Sequence, residues 1–254
     1  AKWLWDCCFL DAAETSSLVL MYNFFARRIL AVFRYCTKKW PIRQFPTRIE
    51  RKKSKEKNRS RLIQAAMGKI PCDLTVKNVQ YFNVFTSEIY PAEVDVLDGF
   101  VVRVRQTGEH PELPAKSVYD GQNRYLIPGY IDTHMHVEST MMIPENLSRA
   151  ILPWGTTTIC TAPHEIGNVM SVEGVRFMLG NAKKSALRQY VLAPSCVPAV
   201  PELESTGASF GAKEVGEILD MDDVVGIAEI MDFVGVYQDG ERMHSIIDEG
   251  VKRG

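Results

Sequence analysis

Apolar and polar residues follow two different patterns along this chain, and the change falls near Pro128. Between about residues 70 and 125 they alternate, which is typical of short strands with one buried face. Asp98-Gly99 separates two of these stretches and is a strong signal for a tight hairpin turn. The pattern predicts a small antiparallel β unit. Its strands are expected at Asp73–Val79, Ala92–Leu97, Phe100–Val104 and Val118–Tyr125.

Beyond Pro128, short apolar runs rich in β-branched residues alternate with amphipathic stretches of helical length. The strands are predicted at Tyr125–His134, Thr156–Ala162, Tyr190–Ala193 and Val224–Ala228. The helices are predicted at Pro144–Leu152, about Ser171–Ala186, about Ala212–Leu219 and about Arg242–Lys252. Four successive βα units indicate an α/β fold whose parallel sheet has right-handed crossovers.

The first 60 residues differ from the rest and are expected to form a basic, partly disordered extension. Residues 43–61 hold nine Lys and Arg against Glu50 and Glu56, although the whole chain has a net charge of −1. No aromatic residue is interleaved after Phe45, so a platform for single-stranded nucleic acid is poorly supported. A solvated linker is the preferred interpretation, and polyanion binding is the alternative. The expected domains are therefore 1–60, a small β domain at 61–125, and an α/β domain at 126–254.

Several features of the composition limit the possible classes of protein. An apolar content of 46% is ample for a buried core. The most apolar N-terminal stretch, Leu18–Phe33, is short and contains Arg27 and Arg28, so a membrane span is not expected and an amphipathic helix is one reading. The six cysteines show no C-x-x-C pair. A reducing compartment, and hence the cytoplasm, is expected.

The candidate chemistry centres on His134 and His136, at the end of the apolar run that begins at Leu126. Residues i and i+2 of a strand point to the same face, so the two imidazoles converge. Neutral imidazole is the commonest protein ligand for zinc-like metals. The alternative is a pair of core histidines held by hydrogen bonds. The surrounding Pro-Gly and acidic residues favour the metal site.

Further ligand-type residues follow the other predicted strands. His164 and Glu165 follow strand two, the loop Pro194–Pro198 follows strand three, and Glu229 follows strand four. In a (β/α)8 barrel the carboxyl ends of the strands carry the active site. The alternatives are a helix-start cap for His164-Glu165 and a surface carboxylate for Glu229. His136-Val137-Glu138 imitates the H-x-E of zinc nucleobase deaminases, but the P-C-x-x-C which completes that site does not occur.

Residues from about 60 to 254 resemble the N-terminal half of the adenine deaminase family, within the amidohydrolase superfamily. The motifs that carry the resemblance are Pro128–Ser139, Gly155–Thr158, Pro163–Val169, Pro194–Ala199 and Ala228–Phe233. Residues Asn83–Ile89 resemble part of the family's small composite β-sandwich domain. The first motif is shared across the superfamily, whereas His164-Glu165-Ile166 and Pro194–Pro198 point to this branch. Residues 1 to about 55 match no recognised family.

The resemblance implies an amidohydrolase-type (β/α)8 barrel, of which only the first four βα units are present. It also implies metal-dependent hydrolysis of adenine to hypoxanthine and ammonia, as in purine salvage. His134, His136 and Glu229 would hold a binuclear centre, with Glu229 as the bridging carboxylate and manganese as the expected metal, or else iron or zinc. His164 and Glu165, with Glu229, are the candidate catalytic residues, and Glu138 is a further candidate near the substrate.

The family supplies more metal-binding histidines and a catalytic aspartate from later strands. The chain is therefore expected to be an incomplete fragment that is inactive alone, unless two half-barrels associate as a homo-oligomer. One alternative is an amidohydrolase acting on another cyclic amide, resembling a dihydroorotase. The other is an inactive protein that binds through its basic run. Neither a membrane nor a nucleic acid is the expected partner.

Overall fold

A computed structural model describes residues 7–10, 59–108 and 112–254, which form two compact units. The described residues of the first unit are 7–10, 59–108, 112–130 and 153–155, and those of the second are 131–152 and 156–254. Most of the predicted basic extension, including the candidate amphipathic helix Leu18–Phe33, lies outside the described residues. Of its N-terminal part the structure describes one short strand, β1 (Cys7–Leu10).

The first unit is built around one five-stranded sheet of order β1-β5-β2-β3-β4, with a short helix, α1, at residues 59–66. The other strands are β2 (Leu74–Asn83), β3 (Glu88–Leu97), β4 (Phe100–Gln106) and β5 (Val118–Pro128). Asp98 and Gly99 both have positive φ, at 50° and 81°, which confirms the predicted hairpin turn between β3 and β4. The second layer of a β-sandwich stays a prediction.

The prediction of a purely antiparallel β unit is wrong, because β5 pairs with β2 in parallel. The connection from Thr107 to Ser117 is long enough to carry the chain back before β5 begins, and β5 therefore runs beside β2 in the same direction. Only local hairpins, such as the one between β3 and β4, are fixed by the turn residues themselves. The pairing of β2 with β5 depends on contacts between residues that are far apart in the sequence.

The second sheet has the order β6-β7-β8-β9, and β8 pairs in parallel with both β7 and β9, as the alternating pattern predicted. Its strands are β6 (Tyr130–Met135), β7 (Thr156–Thr161), β8 (Arg188–Ala193) and β9 (Val224–Ile227). The predicted first strand, Tyr125–His134, is in fact divided between two sheets. Pro128 has no N–H for a sheet hydrogen bond, so β5 ends there and β6 begins after Gly129.

Helices separate the strands of the second sheet. They are α2 (Pro144–Ile151), α3 (His164–Ala182), α4 (Ala212–Leu219), α5 (Phe233–Tyr237) and α6 (Glu241–Arg253). The second helix begins at His164, seven residues before its predicted start at Ser171. The predicted start nevertheless coincides with a break in the helix. Ser171 has φ 55° and ψ −147°, so it breaks the helix at the position predicted as its N-cap. Helix α5 was not predicted from the sequence.

The core of the second unit lies between its sheet and helices α3, α4 and α6. Buried apolar side chains there include Val175, Val191, Phe210, Val215, Ile218 and Ile246. The first unit has its own apolar cluster, which includes Val79, Ala92, Val94 and Leu126. Among the described residues no helix is both long and apolar enough to cross a membrane.

Candidate metal centre

The predicted ligand residues all follow or end strands of the second sheet and meet at one edge. His134 lies near the end of β6 and His136 directly follows that strand. His164 and Glu165 begin α3 after β7, and Glu229 comes two residues after β9. Because parallel strands point their carboxyl ends to one edge, residues far apart in sequence arrive together.

His134, His136 and Glu229 form the tightest group. The two Nε2 atoms of the histidines lie 3.3 Å apart. Glu229 Oε2 is 3.2 Å from Nε2 of His134, and Glu229 Oε1 is 3.6 Å from Nε2 of His136. One carboxylate therefore presents a different oxygen to each imidazole. This is the arrangement expected of ligands that share one or two cations between them.

A backbone contact fixes which nitrogen of His136 is free to bind a metal. Nδ1 of His136 lies 2.8 Å from the carbonyl oxygen of Ala162, which can only accept a hydrogen bond. The proton of the neutral ring therefore resides on Nδ1, and the lone pair on Nε2 points toward Glu229 and His134. A carbonyl that holds the second nitrogen of a histidine is a recurrent feature of metal-binding imidazoles.

His164 and Glu165 extend the group on the side of β7. Oε2 of Glu165 lies 3.7 Å from Nδ1 of His136 and 3.8 Å from Nε2 of His164. His164 Nδ1 is 3.6 Å from Oε1 of Glu229. The ring centroids of His136 and His164 are 4.6 Å apart. Two overlapping groups, one with His134 and one with His164 and Glu165, thus share His136.

Several buried polar atoms at this edge make no hydrogen bond among the described residues. They include Glu229 Oε2, Glu165 Oε2, His164 Nδ1 and Glu138 Oε2. A buried donor or acceptor without a partner is costly, and such atoms call for an explanation. A divalent cation held by His134, His136 and Glu229 would satisfy Glu229 Oε2, because imidazole and carboxylate together suit manganese, iron and zinc. The residues present therefore fit a metal.

Glu138 and Ser139 lie beside the cluster, on the short 3-10 helix Glu138–Thr140. Ser139 Oγ donates to Oε1 of Glu165 at 2.9 Å and so orients that carboxylate. Burial raises the pKa of Glu138 above its ordinary value, and the negative charge of Glu165 adds to the rise. The backbone N–H of Ile166 donates to Glu138 Oε1 at 3.4 Å. Glu138 is thus a half-buried carboxyl next to the ligands.

Three residues at this edge were given no role by the sequence analysis. Ser195 Oγ donates to the carbonyl oxygen of Glu229 at 2.7 Å. Cys196 Sγ joins His164 and Glu229 in a third potential ligand group. Burial, with a further contribution from the charge of Glu229, raises the pKa of Cys196 to about 11. Arg242, on α6, contacts the loop after β8. Ser195 and Cys196 lie in a recognised strand-end loop, but nothing in the sequence singles out Arg242.

The sequence model of the amidohydrolase family matches residues 125–246. This stretch spans β6 to β9 and contains each of the five predicted site residues. Over this stretch the chain is therefore similar to the amidohydrolase family.

The chain is also similar to curated adenine deaminases. It is 41% identical over 182 residues to adenine deaminase 2 of Carboxydothermus hydrogenoformans, covering 72% of this chain and 31% of the relative. It is 39% identical over 185 residues to adenine deaminase of Paracoccus denitrificans, with the same coverage. The chain thus spans about a third of the length of the curated relatives it matches.

Two solved structures are similar at low sequence identity. L-Hydantoinase from Arthrobacter aurescens is 17% identical with a TM-score of 0.39, covering 58% of this chain and 38% of the other. The 5-methylcytosine deaminase from Klebsiella pneumoniae, liganded with 5-fluorocytosine, is 14% identical with a TM-score of 0.43. That match covers 71% of this chain and 49% of the other.

Proposed function

We propose that this chain is a metal-binding N-terminal part of an adenine deaminase, which hydrolyses adenine to hypoxanthine and ammonia. The observation that carries the proposal is the convergence of His134, His136 and Glu229 within 4.8 Å of one another. Its context is 41% identity to an adenine deaminase over 72% of the chain. The convergence supports the metal, and the relatives support the substrate.

The two units support a matching proposal for the fold. The four strands β6 to β9 and their helices are the first half of an amidohydrolase-type (β/α)8 barrel, built from residues 126–254. Residues 61–125 form a small composite β domain before it, and residues 1–60 a basic extension. Support comes from the parallel pairing of β7, β8 and β9 and from ligand-type residues after β6, β7 and β9.

The proposed centre would hold two divalent cations, for which manganese is the first choice and iron or zinc the alternatives. Glu229 is the shared ligand, because its two oxygens face different imidazoles. His134 and His136 complete the first group of ligands. When bound, the metal supplies Lewis acidity that activates water near neutral pH. The protein contributes the geometry, since the bond from His136 to Ala162 holds one imidazole in the binding tautomer.

The proton steps of the proposed reaction need a carboxylate or imidazole beside the reacting atoms. Deamination at C6 of adenine must transfer a proton from water to the departing ammonia. Glu165 and His164 are proposed for this work, because Glu165 Oε2 and His164 Nδ1 are buried and have no hydrogen-bond partner in the described part of the chain. Ser139 keeps the other oxygen of Glu165 occupied and so leaves Oε2 available. The cytoplasmic location and a homo-oligomeric state stay predictions.

The metal assignment is tested by replacing the shared carboxylate. We expect Glu229→Gln to weaken Mn²⁺ binding, measured by calorimetry, by at least about tenfold, because an amide offers one neutral oxygen where the carboxylate offers two charged ones. Glu173→Gln is the matched control, since Glu173 lies on α3 with its side chain 75% exposed. If the parent chain, Glu229→Gln and Glu173→Gln bound Mn²⁺ with equal affinity, Glu229 would be excluded as a ligand.

The substrate assignment needs a separate assay on the protein purified from its natural gene. With Mn²⁺ added, we expect chromatography to show conversion of adenine to hypoxanthine with one ammonia released per turnover. Dihydroorotate and hydantoin serve as competing cyclic amides. Turnover of a cyclic amide without turnover of adenine would refute the proposed substrate while leaving the metal centre intact.

A further inference from the structure

Arg242 is a half-buried arginine of α6 whose guanidinium lies against one loop of the second unit. Its Nη2 donates to the carbonyl oxygens of Ser195 and Pro198, both at 2.9 Å. Its Nε donates to the carbonyl oxygen of Phe210 at 3.1 Å. One side chain therefore ties both ends of the connection between β8 and α4 to α6.

The loop that Arg242 holds is itself bonded to the proposed metal ligand. Ser195 and Val197 are almost completely buried, with exposures of 1% and 0%. While Arg242 binds the carbonyl of Ser195, the hydroxyl of the same serine donates to the carbonyl oxygen of Glu229 at 2.7 Å. Arg242 thus connects through a single residue to the main chain of the shared carboxylate.

A second contact of Arg242 reaches the segment that follows Glu229. Nη1 of Arg242 lies 3.8 Å from Oδ2 of Asp232, whose other oxygen accepts the N–H of Gly235 at 2.9 Å and so caps α5. Arg242 therefore lies between the segment after β8 and the segment after β9. These two segments must keep a fixed spacing if Glu229 is to face the histidines of β6.

The chemistry of this position requires arginine rather than any cation. Three carbonyl oxygens in different directions match the rigid, planar fork of a guanidinium, whereas the ammonium of lysine is a single point donor. Burial lowers the pKa of Arg242 below its ordinary value, so placing a charge here has a cost. The four carbonyl and carboxylate partners offset that cost only while the loop keeps its present shape.

We propose that Arg242 is a positioning residue for the metal centre. It holds the loop Ser195–Pro198 so that the Ser195 hydroxyl fixes the main chain of Glu229, and the carboxylate is thereby aimed at His134 and His136. This inference rests on the proposed function, because it assumes that Glu229 binds metal. In this proposal Arg242 touches neither the metal nor the substrate, and it lies 13 positions beyond Glu229 in the sequence.

The test titrates Co²⁺ into the 254-residue chain and follows the visible absorption bands, which report both affinity and ligand geometry. We expect Arg242→Lys to weaken Co²⁺ binding about 10- to 100-fold, as loss of supporting contacts around metal ligands does, and to change the absorption spectrum. Arg253→Lys is the matched control, since Arg253 lies on the same helix and its side chain donates hydrogen bonds to Asp220 and Glu249, away from the loop Ser195–Pro198. It should leave both affinity and spectrum unchanged.

A second variant keeps the test decisive if Arg242→Lys does not fold. Ser195→Ala removes only the hydroxyl that binds the carbonyl of Glu229, and we expect it to weaken Co²⁺ binding in the same direction. If both act along one path, the double variant should lose no more affinity than the weaker-binding single variant. Unchanged affinity and spectrum in Ser195→Ala, or fully additive losses, would overturn the inference.

Alkylation of Cys196 distinguishes failure of this inference from failure of the proposed metal site. Cys196 is 3% exposed within the held loop, so iodoacetamide should modify it faster in Arg242→Lys than in the parent or in Arg253→Lys, measured with chelator present. An unchanged rate would show that Arg242 does not hold the loop. If the parent chain binds no Co²⁺, the proposed metal site itself is wrong, whatever the alkylation rates.

Discussion

At the scale of single residues, the candidate site depends on which atom of each side chain is already occupied. The imidazole of His136 uses Nδ1 for the carbonyl of Ala162 and keeps Nε2 for a ligand. The carboxylate of Glu165 uses Oε1 for Ser139 and keeps Oε2. In both cases a hydrogen bond occupies one atom of the side chain and orients the other, which is how supporting contacts prepare a metal ligand.

The thiol of Cys196 gives a prediction at this scale. Burial and the charge of Glu229 raise its pKa to about 11, and only the thiolate is a strong nucleophile. In the folded protein we expect alkylation of Cys196 at pH 8 to be slow. The rate of alkylation should increase about tenfold per pH unit up to about pH 11.

The unfolded chain provides the control for this measurement. In the unfolded chain the thiol has its ordinary pKa of about 8.5. The rate of alkylation at pH 8 should therefore be high and should level off above about pH 9.5. Peptide mapping by mass spectrometry identifies the modified cysteine. A folded-state rate that also levels off near pH 9 would contradict the raised pKa.

At the scale of elements, α3 consists of two helical segments separated at Ser171. The break brings the second segment close to the first, so that a Cβ added at Gly174 would lie 2.6 Å from the carbonyl oxygen of Ile166. Gly180 lies further along the same helix, and nothing is within 4 Å of the corresponding position. One helix thus contains a glycine that the packing requires and another that it does not.

We therefore expect opposite effects from the same substitution in α3. Gly174→Ala should lower the free energy of unfolding by about 1–3 kcal/mol, because a methyl group would overlap with the backbone. Gly180→Ala should raise it by up to about 1 kcal/mol, because alanine favours an exposed helix interior. Urea denaturation followed by circular dichroism measures both. A stabilising Gly174→Ala would mean that the two segments do not approach this closely.

The hairpin of β3 and β4 contains a buried network of charged side chains. Arg105, with its side chain 3% exposed, contacts Glu93 Oε2 at 2.5 Å and Asp95 Oδ2 at 3.0 Å. Asp95 also accepts a hydrogen bond from Thr75 of β2 at 2.6 Å. The network therefore joins three strands through charges that are shielded from water.

Arg105→Met should leave two buried carboxylates without their cation and lower the unfolding free energy by about 3–5 kcal/mol. Arg61→Met is the control, because Arg61 pairs with Asp98 at the surface and its side chain is 48% exposed. That change should cost less than about 1 kcal/mol. Thermal unfolding measures both variants, and equal losses would contradict the role assigned to the buried network.

At the scale of the whole molecule, the parallel sheet has two outer strands, β6 and β9, that each have one neighbouring strand among the described residues. Tyr130 and Ile131 of β6 and Val225 of β9 are exposed, although they are apolar. An unpaired parallel edge with exposed apolar residues favours association with further strands. This agrees with a chain that spans about a third of the length of its curated relatives.

We expect the 254-residue chain by itself to show no measurable conversion of adenine with Mn²⁺ added, while it still binds the metal. The reason is that the proposed half-barrel supplies only part of the ligand set and leaves its edges open. A purified adenine deaminase from one of the relatives is the positive control in the chromatographic assay. Robust turnover would contradict this, and a stable dimer in light scattering would indicate that two half-barrels complete each other.

Much of the fold could be predicted because its signals are local. Asp98-Gly99 predicts its own turn, and the runs at Thr156 and Val224 are strands because β-branched and apolar residues favour a buried sheet. The interruption of the predicted strand Tyr125–His134 after Pro128 was missed, although the missing N–H of proline explains it. The break at Ser171 sits where an N-cap was predicted, but the backbone on both sides of it is helical, which periodicity alone does not reveal.

The sequence by itself determined the residue types of the candidate site. Histidine and glutamate that follow predicted strands indicate a metal site before the arrangement of the strands is known. Only the tertiary structure decided which of them meet. It brought Glu229 to within 3.6 Å of both His136 and His164, paired β5 with β2 in parallel, and placed Arg242 against the loop beside Ser195. Contacts between residues far apart in the chain depend on packing of the whole unit, and the order of residues along the chain carries no local sign of them.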